Sequence, residues 1–491
     1  MNTYSLTIEQ VKDVDSSQYN AVAIYREIRA DFETPLSIYL KVDSGEYSYL
    51  LESAELGHQG RYSLIGTDPY DIYKSNDEDD NEDPLEIIQK KLHEIKAPNS
   101  SNLPSFCGGA VGYLSFEFIS KIEERIQDNK TDTLGLPNSF FIFSDTVIVF
   151  DHLLHSIKIV SHVRLHGSLV EQYNKTIEKI EKIAKKIAKP LEKLPYNPIS
   201  GKINQKIESN WDPDNYKQAV NKLKEYIVNG DIIQGVLSQR FKVETGAHPF
   251  EIYRSLRTIN PSPYMYYLKF KDTYIVGASP ELLVKIENNI VENHPIAGTR
   301  PRGKDSNEDE LLAKELKNDP KEIAEHIMLL DLGRNDVGRV AVPGSVQVTQ
   351  KLDIEYYSHV MHLVSHVKGN LKASLTPYDA LRASFPAGTV SGAPKIRAIE
   401  IIQELEPDKR GAYAGAVGFF STTGDIETCI TIRTMIIKNK IAYIQAGGGI
   451  VFDSDPQKEY EETQHKARAL IESIRDAENY NNLNKIGKLG Y

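Results

Sequence analysis

QAGGGIVFDSDPQKEYEETQ, residues 445–464, is the stretch whose reading decides the architecture. It leaves an apolar strand, Ile441 to Ile444, turns on Gly447, Gly448 and Gly449, and enters a helix through Asp453-Ser454-Asp455-Pro456. Three glycines without Cβ atoms let a ligand reach the backbone and its N–H donors. Asp455 before Pro456 reads as an N-cap followed by proline at the first helical position. Glu459 and Glu462 are three residues apart and so share one helix face.

The same design appears upstream in DPKEIAEHIMLL, where Asp319 caps, Pro320 starts the helix, and Glu322 and Glu325 are again three apart. Read alone, either pair is more often a solvated acidic helix face, since exposed glutamates are common. Read together, with no His/Cys cluster nearby, they suit a hard divalent ion such as magnesium, held by few protein ligands while a substrate supplies further oxygens.

Working outward, 491 residues exceed one ordinary domain, and 40% hydrophobic with 26% charged content is that of a soluble globular chain. A net charge of -11 argues against nucleic acid or an anionic membrane as the main partner. Two cysteines, Cys107 and Cys429, build no disulfide framework. No signal peptide and no membrane-spanning run is present, so a cytoplasmic location is expected. Strand-like segments such as Pro263 to Phe270, Thr273 to Gly277, Leu282 to Ile286 and Ile290 to His294 follow one another through short turns. That order predicts an α+β protein with largely antiparallel sheets and helices outside, not a doubly wound parallel sheet. Loss of periodicity and three prolines mark 189–210 as a linker between residues 1–188 and 211–478, with 479–491 a polar tail.

Two further loops, HPIAGTRPRG (294–303) and FPAGTVSGAPK (385–395), combine glycine, a hydroxyl and nearby arginine or a helix start. Each alone is a tight turn or an anion site. With Arg433 in ITIRT, Tyr413 in RGAYAGAVG and the triple glycine, they read as a site for a small polycarboxylate beside magnesium.

These motifs, together with GDIIQGVLSQRF, NPSPYMYYL, GASPELLVK, the whole KEIAEHIMLLDLGRNDVGRV run and SHVMHLVSHVKG, give a chain that resembles the chorismate-utilising enzymes, and among them the anthranilate-forming branch. The likeness is dense over 210–475 and looser over 20–155. It implies two packed antiparallel sheets flanked by helices, with an N-terminal regulatory region packed on the catalytic one. It implies Glu325 and Glu462 as magnesium ligands with Glu322 and Glu459 beside them. It places Gly298, Thr299, Tyr413, Arg433, Gly447, Gly448, Gly449 and Lys466 on the carboxylates of chorismate. It makes Glu281 the general acid that protonates the departing C4 hydroxyl, and His362 the histidine of the pyruvate-losing step.

Two positions discriminate within the family. Gln234 stands where water-using relatives carry a lysine that activates water, and Ala297 where aminodeoxychorismate synthases carry a lysine that attacks C2. Together they favour direct addition of ammonia. Ser53, Pro263, Tyr264 and Met265 match a tryptophan feedback pocket. Neither cysteine sits in the glycine-flanked turn of a glutaminase, so the resemblance implies ammonia from a separate amidotransferase subunit or free ammonium. A non-catalytic tryptophan-sensing subunit is the different-class alternative.

Overall fold

The computed structural model describes residues 4–54, 60–75, 82–100, 102–127, 129–191, 206–357 and 360–486, with side chains through Asn479. Two large sheets dominate, and every strand pairing in them is antiparallel. The twelve-stranded sheet runs from Ala21–Arg29 at one edge, through Tyr47–Glu52, Tyr264–Phe270, Thr273–Ser279 and Thr434–Lys438, to Ile441–Ile450 and Gln234–Glu244 near the other. The ten-stranded sheet runs from Ile296–Pro301 and Val360–Asn370, through Leu282–Glu287, Ile426–Ile430 and Ala416–Ser421, to Gly109–Leu114 and Asp71–Lys74.

Short turns make this pairing the cheap one. Asn288-Asn289 and Asn439-Lys440 both take positive φ at both central positions, the twist that two-residue hairpins need. One apolar cluster, including Tyr49, Tyr266 and Ile275 from the first sheet and Val111, Ile142 and Val417 from the second, fills the space between them. Helices such as Pro249–Ile259 and Pro456–Ile486 cover the outer face of the first sheet, and Pro320–Val340 and Pro377–Ser384 that of the second. The layers are therefore helix, sheet, sheet, helix.

Strands from before residue 189 and after residue 210 share both sheets: Leu51 pairs with Tyr266, and Val111 with Phe419. Of the stretch expected as a linker, 192–205 lies outside the described residues, as do 76–81 of the acidic run. The last helix extends to Ile486, into the segment expected as a polar tail. Among the described residues, no helix is long and apolar enough to cross a membrane.

One local expectation is corrected. The three glycines do not turn the chain: Ile441–Ile450 is a continuous strand, with Gly447, Gly448 and Gly449 opposite Ser238, Leu237 and Val236. Their missing Cβ atoms matter because side chains crowd onto them. A methyl group on Gly449 would lie 2.5 Å from Gln234 Nε2, and one on Gly447 2.8 Å from the Tyr413 hydroxyl.

The chain crosses between the sheets at two points that face each other. Pro280-Glu281 joins Thr273–Ser279 to Leu282–Glu287, and Thr431-Ile432-Arg433 joins Ile426–Ile430 back to Thr434–Lys438. The crossings are tied together by Ile430 N–H donating to the Glu281 carbonyl (3.0 Å) and Ala278 N–H donating to the Arg433 carbonyl (3.1 Å). Antiparallel strands that change sheet thus deliver an acid, Glu281, and a cation, Arg433, to one cavity.

Candidate active site

A cavity of about 570 Å³ opens where these crossings meet the outer helices. Glu325 enters it from the Pro320–Val340 helix, and Glu459 and Glu462 from the Pro456–Ile486 helix. Asp319 and Asp455 cap these helices as the sequence implies, each carboxylate accepting from two backbone N–H groups of its first turn. Burial raises the pKa of Glu325, helped by the neighbouring Glu322 charge. Burial likewise raises that of Glu459, with Glu462 adding to it against a Ser454 hydrogen bond. Glu459 Oε2 is buried and has no hydrogen-bond partner among the described residues. A buried oxygen left unpaired costs about 1–3 kcal/mol, more when charged.

Carboxylates from two helices, with repulsion between Glu459 and Glu462 and one orphaned oxygen, fit a divalent cation, which would relieve both. No set of three or more His, Cys, Asp or Glu groups among the described residues is gathered tightly enough to cage an ion by itself. Such a site suits magnesium, which keeps waters and takes substrate oxygens. Glu322 stays behind the wall, its carboxylate accepting from Arg300 at 3.3 Å. Gly448 is also one layer back: a methyl group there would lie 2.8 Å from Glu459 Oε2.

The rest of the lining carries the groups for organic anions and proton transfer. Glu281 is buried, which pushes its carboxyl up to about 8 against the opposing pull of the Thr389 hydroxyl and the Ile296 amide. Arg433 takes a positive φ of 50° and makes no ion pair among the described residues. Burial lowers its pKa, so an incoming carboxylate would be its natural counter-charge. Burial pushes the Tyr413 phenol up to about 12, which keeps it a hydrogen-bond donor. Lys466 Nζ donates to the Gly447 carbonyl (2.9 Å) and pairs with Glu462 (2.7 Å).

His362 Nδ1 donates to the Gly298 carbonyl at 2.9 Å, which leaves the Nε2 lone pair open. Burial lowers its pKa and so favours the neutral ring. Gln234 Nε2 lies 3.5 Å from Glu325 Oε1 and puts a neutral amide at the cavity wall, and buried Ala297 lines it with a methyl group. Thr299 and Gly449 line the cavity as well, whereas Gly298 sits behind His362.

Arg410 is a residue the sequence reading passed over. Fully enclosed, it pairs with Glu406 through two bonds of 2.7 and 2.8 Å and donates to the carbonyls of Val236 and Val390 at 2.7 Å each. Its guanidinium also lies over the Tyr413 ring, 5.6 Å from the centroid. Val236, Val390 and Tyr413 all line the cavity, so one buried ion pair fixes three parts of its wall. Its only sequence signal was a charged residue beside the glycines of RGAYAGAVG.

A second cavity of about 460 Å³ lies between the sheets and gathers Ser53, Pro263, Tyr264 and Met265, as the resemblance implies. Its walls add Tyr62, Phe106 and Phe419, four carboxylates (Glu52, Glu287, Glu292, Glu427), and Lys285. Glu281 lines the first cavity and its neighbour Leu282 the second. Both cysteines are buried free thiols, pushed by burial up to about 12.

Residues 46–472 match the chorismate binding enzyme family. Anthranilate synthase component 1 of Acetivibrio thermocellus is 46% identical over 488 residues, covering 96% of this chain and 98% of that protein. The Pseudomonas putida protein of the same name is 43% identical over 480 residues, covering 94% of this chain and 96% of its own. The crystal structure of anthranilate synthase component I from Streptococcus pneumoniae superposes with a TM-score of 0.75 at 38% identity, over 90% of this chain and 98% of that one. The menaquinone-specific isochorismate synthase of Escherichia coli shares the fold at 17% identity, with a TM-score of 0.71 over 95% of this chain and 98% of its own. The chain belongs to the chorismate-binding enzymes, in the anthranilate synthase component 1 family.

Proposed function

We propose that this chain converts chorismate and ammonia to anthranilate, pyruvate and water in the first cavity, as the component 1 of tryptophan biosynthesis. The observation that carries the reading is that buried Glu281, its carboxyl pushed up to about 8, and Arg433, which makes no ion pair among the described residues, line one cavity. Ammonia forms a bond to C2 while the C4 hydroxyl leaves. Glu281 supplies the proton that turns that hydroxyl into water, a general-acid contribution worth about 10²–10⁴-fold. Arg433, Tyr413, Thr299 and Lys466 hold the two carboxylates. His362 Nε2 then takes the C2 proton, the C3–oxygen bond breaks, and the enolpyruvyl group departs as pyruvate while the ring becomes aromatic.

Magnesium would be held by Glu325, Glu459 and Glu462, and when bound it would neutralise a substrate carboxylate beside them. Gln234 cannot activate water as a base, and Ala297 cannot form a covalent bond to C2. Both features support ammonia as the nucleophile. The two buried, protonated thiols support a separate glutamine amidotransferase as its source. The second cavity suits tryptophan as a feedback inhibitor: aromatic walls for an indole, and an excess of carboxylates for its ammonium group.

The test is to incubate the purified chain with chorismate and magnesium, adding ammonium or glutamine in turn. Anthranilate is expected with ammonium and not with glutamine. Aminodeoxychorismate as the end product would overturn the reading of Ala297, and isochorismate that of Gln234.

A further inference from the structure

Arg300 belongs to the HPIAGTRPRG loop, yet it does not line the first cavity. It follows Thr299, which does, on the strand Ile296–Pro301. Its guanidinium spreads over three carboxylates: Nε donates to Glu315 at 2.9 Å, Nη2 to Asp319 at 2.8 Å and Nη1 to Glu322 at 3.3 Å. Nη1 also donates to the Thr299 carbonyl at 3.0 Å. Asp319 in turn caps the helix that carries Glu322 and Glu325. The other Glu322 oxygen lies against Gly298, where a methyl group would meet it at 3.1 Å.

Glu322 is thus a carboxylate beside the metal-binding groups that takes no part in lining their cavity. Its charge acts on Glu325, one helical turn away. On adjacent turns the two Cβ atoms lie about 5–6 Å apart, a gap that a glutamate side chain spans. What holds it back is Arg300, itself fixed by Glu315 and Asp319 so that it cannot follow.

We propose that Arg300 is a positioning residue that holds Glu322 out of the metal site and so leaves a metal position open for the substrate. The inference rests on reading the first cavity as a chorismate site with magnesium. Glu325, Glu459 and Glu462 are enough to hold the ion while leaving oxygen positions for water and a substrate carboxylate. A fourth glutamate would tighten the ion on the free chain. It would also fill one of those positions and add a negative charge that repels the substrate. With Glu322 withheld, magnesium and chorismate each complete the other's site, and each tightens the other by the same factor.

The test is calorimetry of magnesium binding to the full chain, first without chorismate and then with it in ammonium-free buffer. Arg300→Gln removes the charge and keeps a polar side chain. Without chorismate it should bind magnesium at least about tenfold more tightly than wild type, the scale on which groups beside the ligands move metal affinity. Chorismate should tighten magnesium binding at least about fivefold in wild type, the lower end of ordinary coupling, and less than about twofold in the variant. Arg300→Met should behave alike and guards against a folding defect in the glutamine variant. Adding Glu322→Gln to Arg300→Gln should return magnesium affinity to within about threefold of wild type, which a merely structural role of Arg300 would not do. Unchanged or weaker magnesium binding in both Arg300 variants, or a gain that survives Glu322→Gln, would overturn the proposal. A wild-type chain that binds no magnesium even with chorismate present would instead overturn the reading of the cavity.

Discussion

Glu281→Gln keeps the size of the side chain and removes its titration, so it should lower activity and raise stability in one substitution. Burial lifts the Glu281 carboxyl from the ordinary 4.5 to about 8 in the folded chain. Between those values the native state holds a proton that the unfolded state has released, so stability falls as pH rises across that window. The accumulated cost above pH 8 is at most roughly 5 kcal/mol at 1.36 kcal/mol per pH unit. Glutamine escapes it but buries an imperfectly paired amide, a cost of about 1–3 kcal/mol.

The variant should therefore be about 3 kcal/mol more stable than wild type at pH 8.5, and less stable than wild type at pH 4.5, where only the amide cost remains. For a chain of 491 residues, the gain at the higher pH is roughly 3 °C in thermal midpoint, from the usual unfolding entropy of about 2.1 cal/mol/K per residue. Ammonium-dependent turnover should fall by about 10²–10⁴-fold, and wild-type kcat should decline with pH through about 8 as the acid is lost. A variant whose advantage over wild type does not grow with pH would refute the buried, protonated acid. So would one that retains turnover.

The other expectations follow from the same cavity. Gly447→Ala puts a methyl group 2.9 Å from the Leu237 carbonyl, which cannot yield, and turnover should drop at least about a hundredfold (steady-state kinetics). Gly448→Ala meets only the tip of Glu459, so turnover should stay within about tenfold while half-saturating magnesium rises several-fold in a metal titration. Arg433→Ala should raise the chorismate KM by about a hundredfold, a loss typical of a charge-assisted pair. Arg410→Lys keeps one charge but cannot reach all of its acceptors. Calorimetry should show a loss of about 3–5 kcal/mol, with KM raised while tryptophan affinity at the remote second cavity stays within a few-fold.

What the sequence disclosed was local or rested on resemblance. Asp319-Pro320 and Asp455-Pro456 announce their helices because capping needs only four residues, and the three-residue spacing of the glutamates needs only the helix. The triple glycine misled because glycines weaken a strand and ordinarily mark turns. Here the strand survives since Tyr413 and Gln234 need the missing Cβ space, a fact of tertiary packing. Arg410 was equally out of reach. Its partners come from other elements, and no periodicity reports that a charge is enclosed. Nor did composition show that strands on both sides of residues 189–210 would share both sheets, because pairing such as Leu51 with Tyr266 spans more than two hundred residues.

The central claim is that this cavity joins ammonia to chorismate and expels pyruvate. It is tested most directly by supplying ¹⁵N-ammonium with chorismate and magnesium and following both products by mass. The account predicts ¹⁵N in anthranilate, with pyruvate released in a one-to-one ratio. Pyruvate without labelled anthranilate, or a labelled product that retains the enolpyruvyl group, would contradict it.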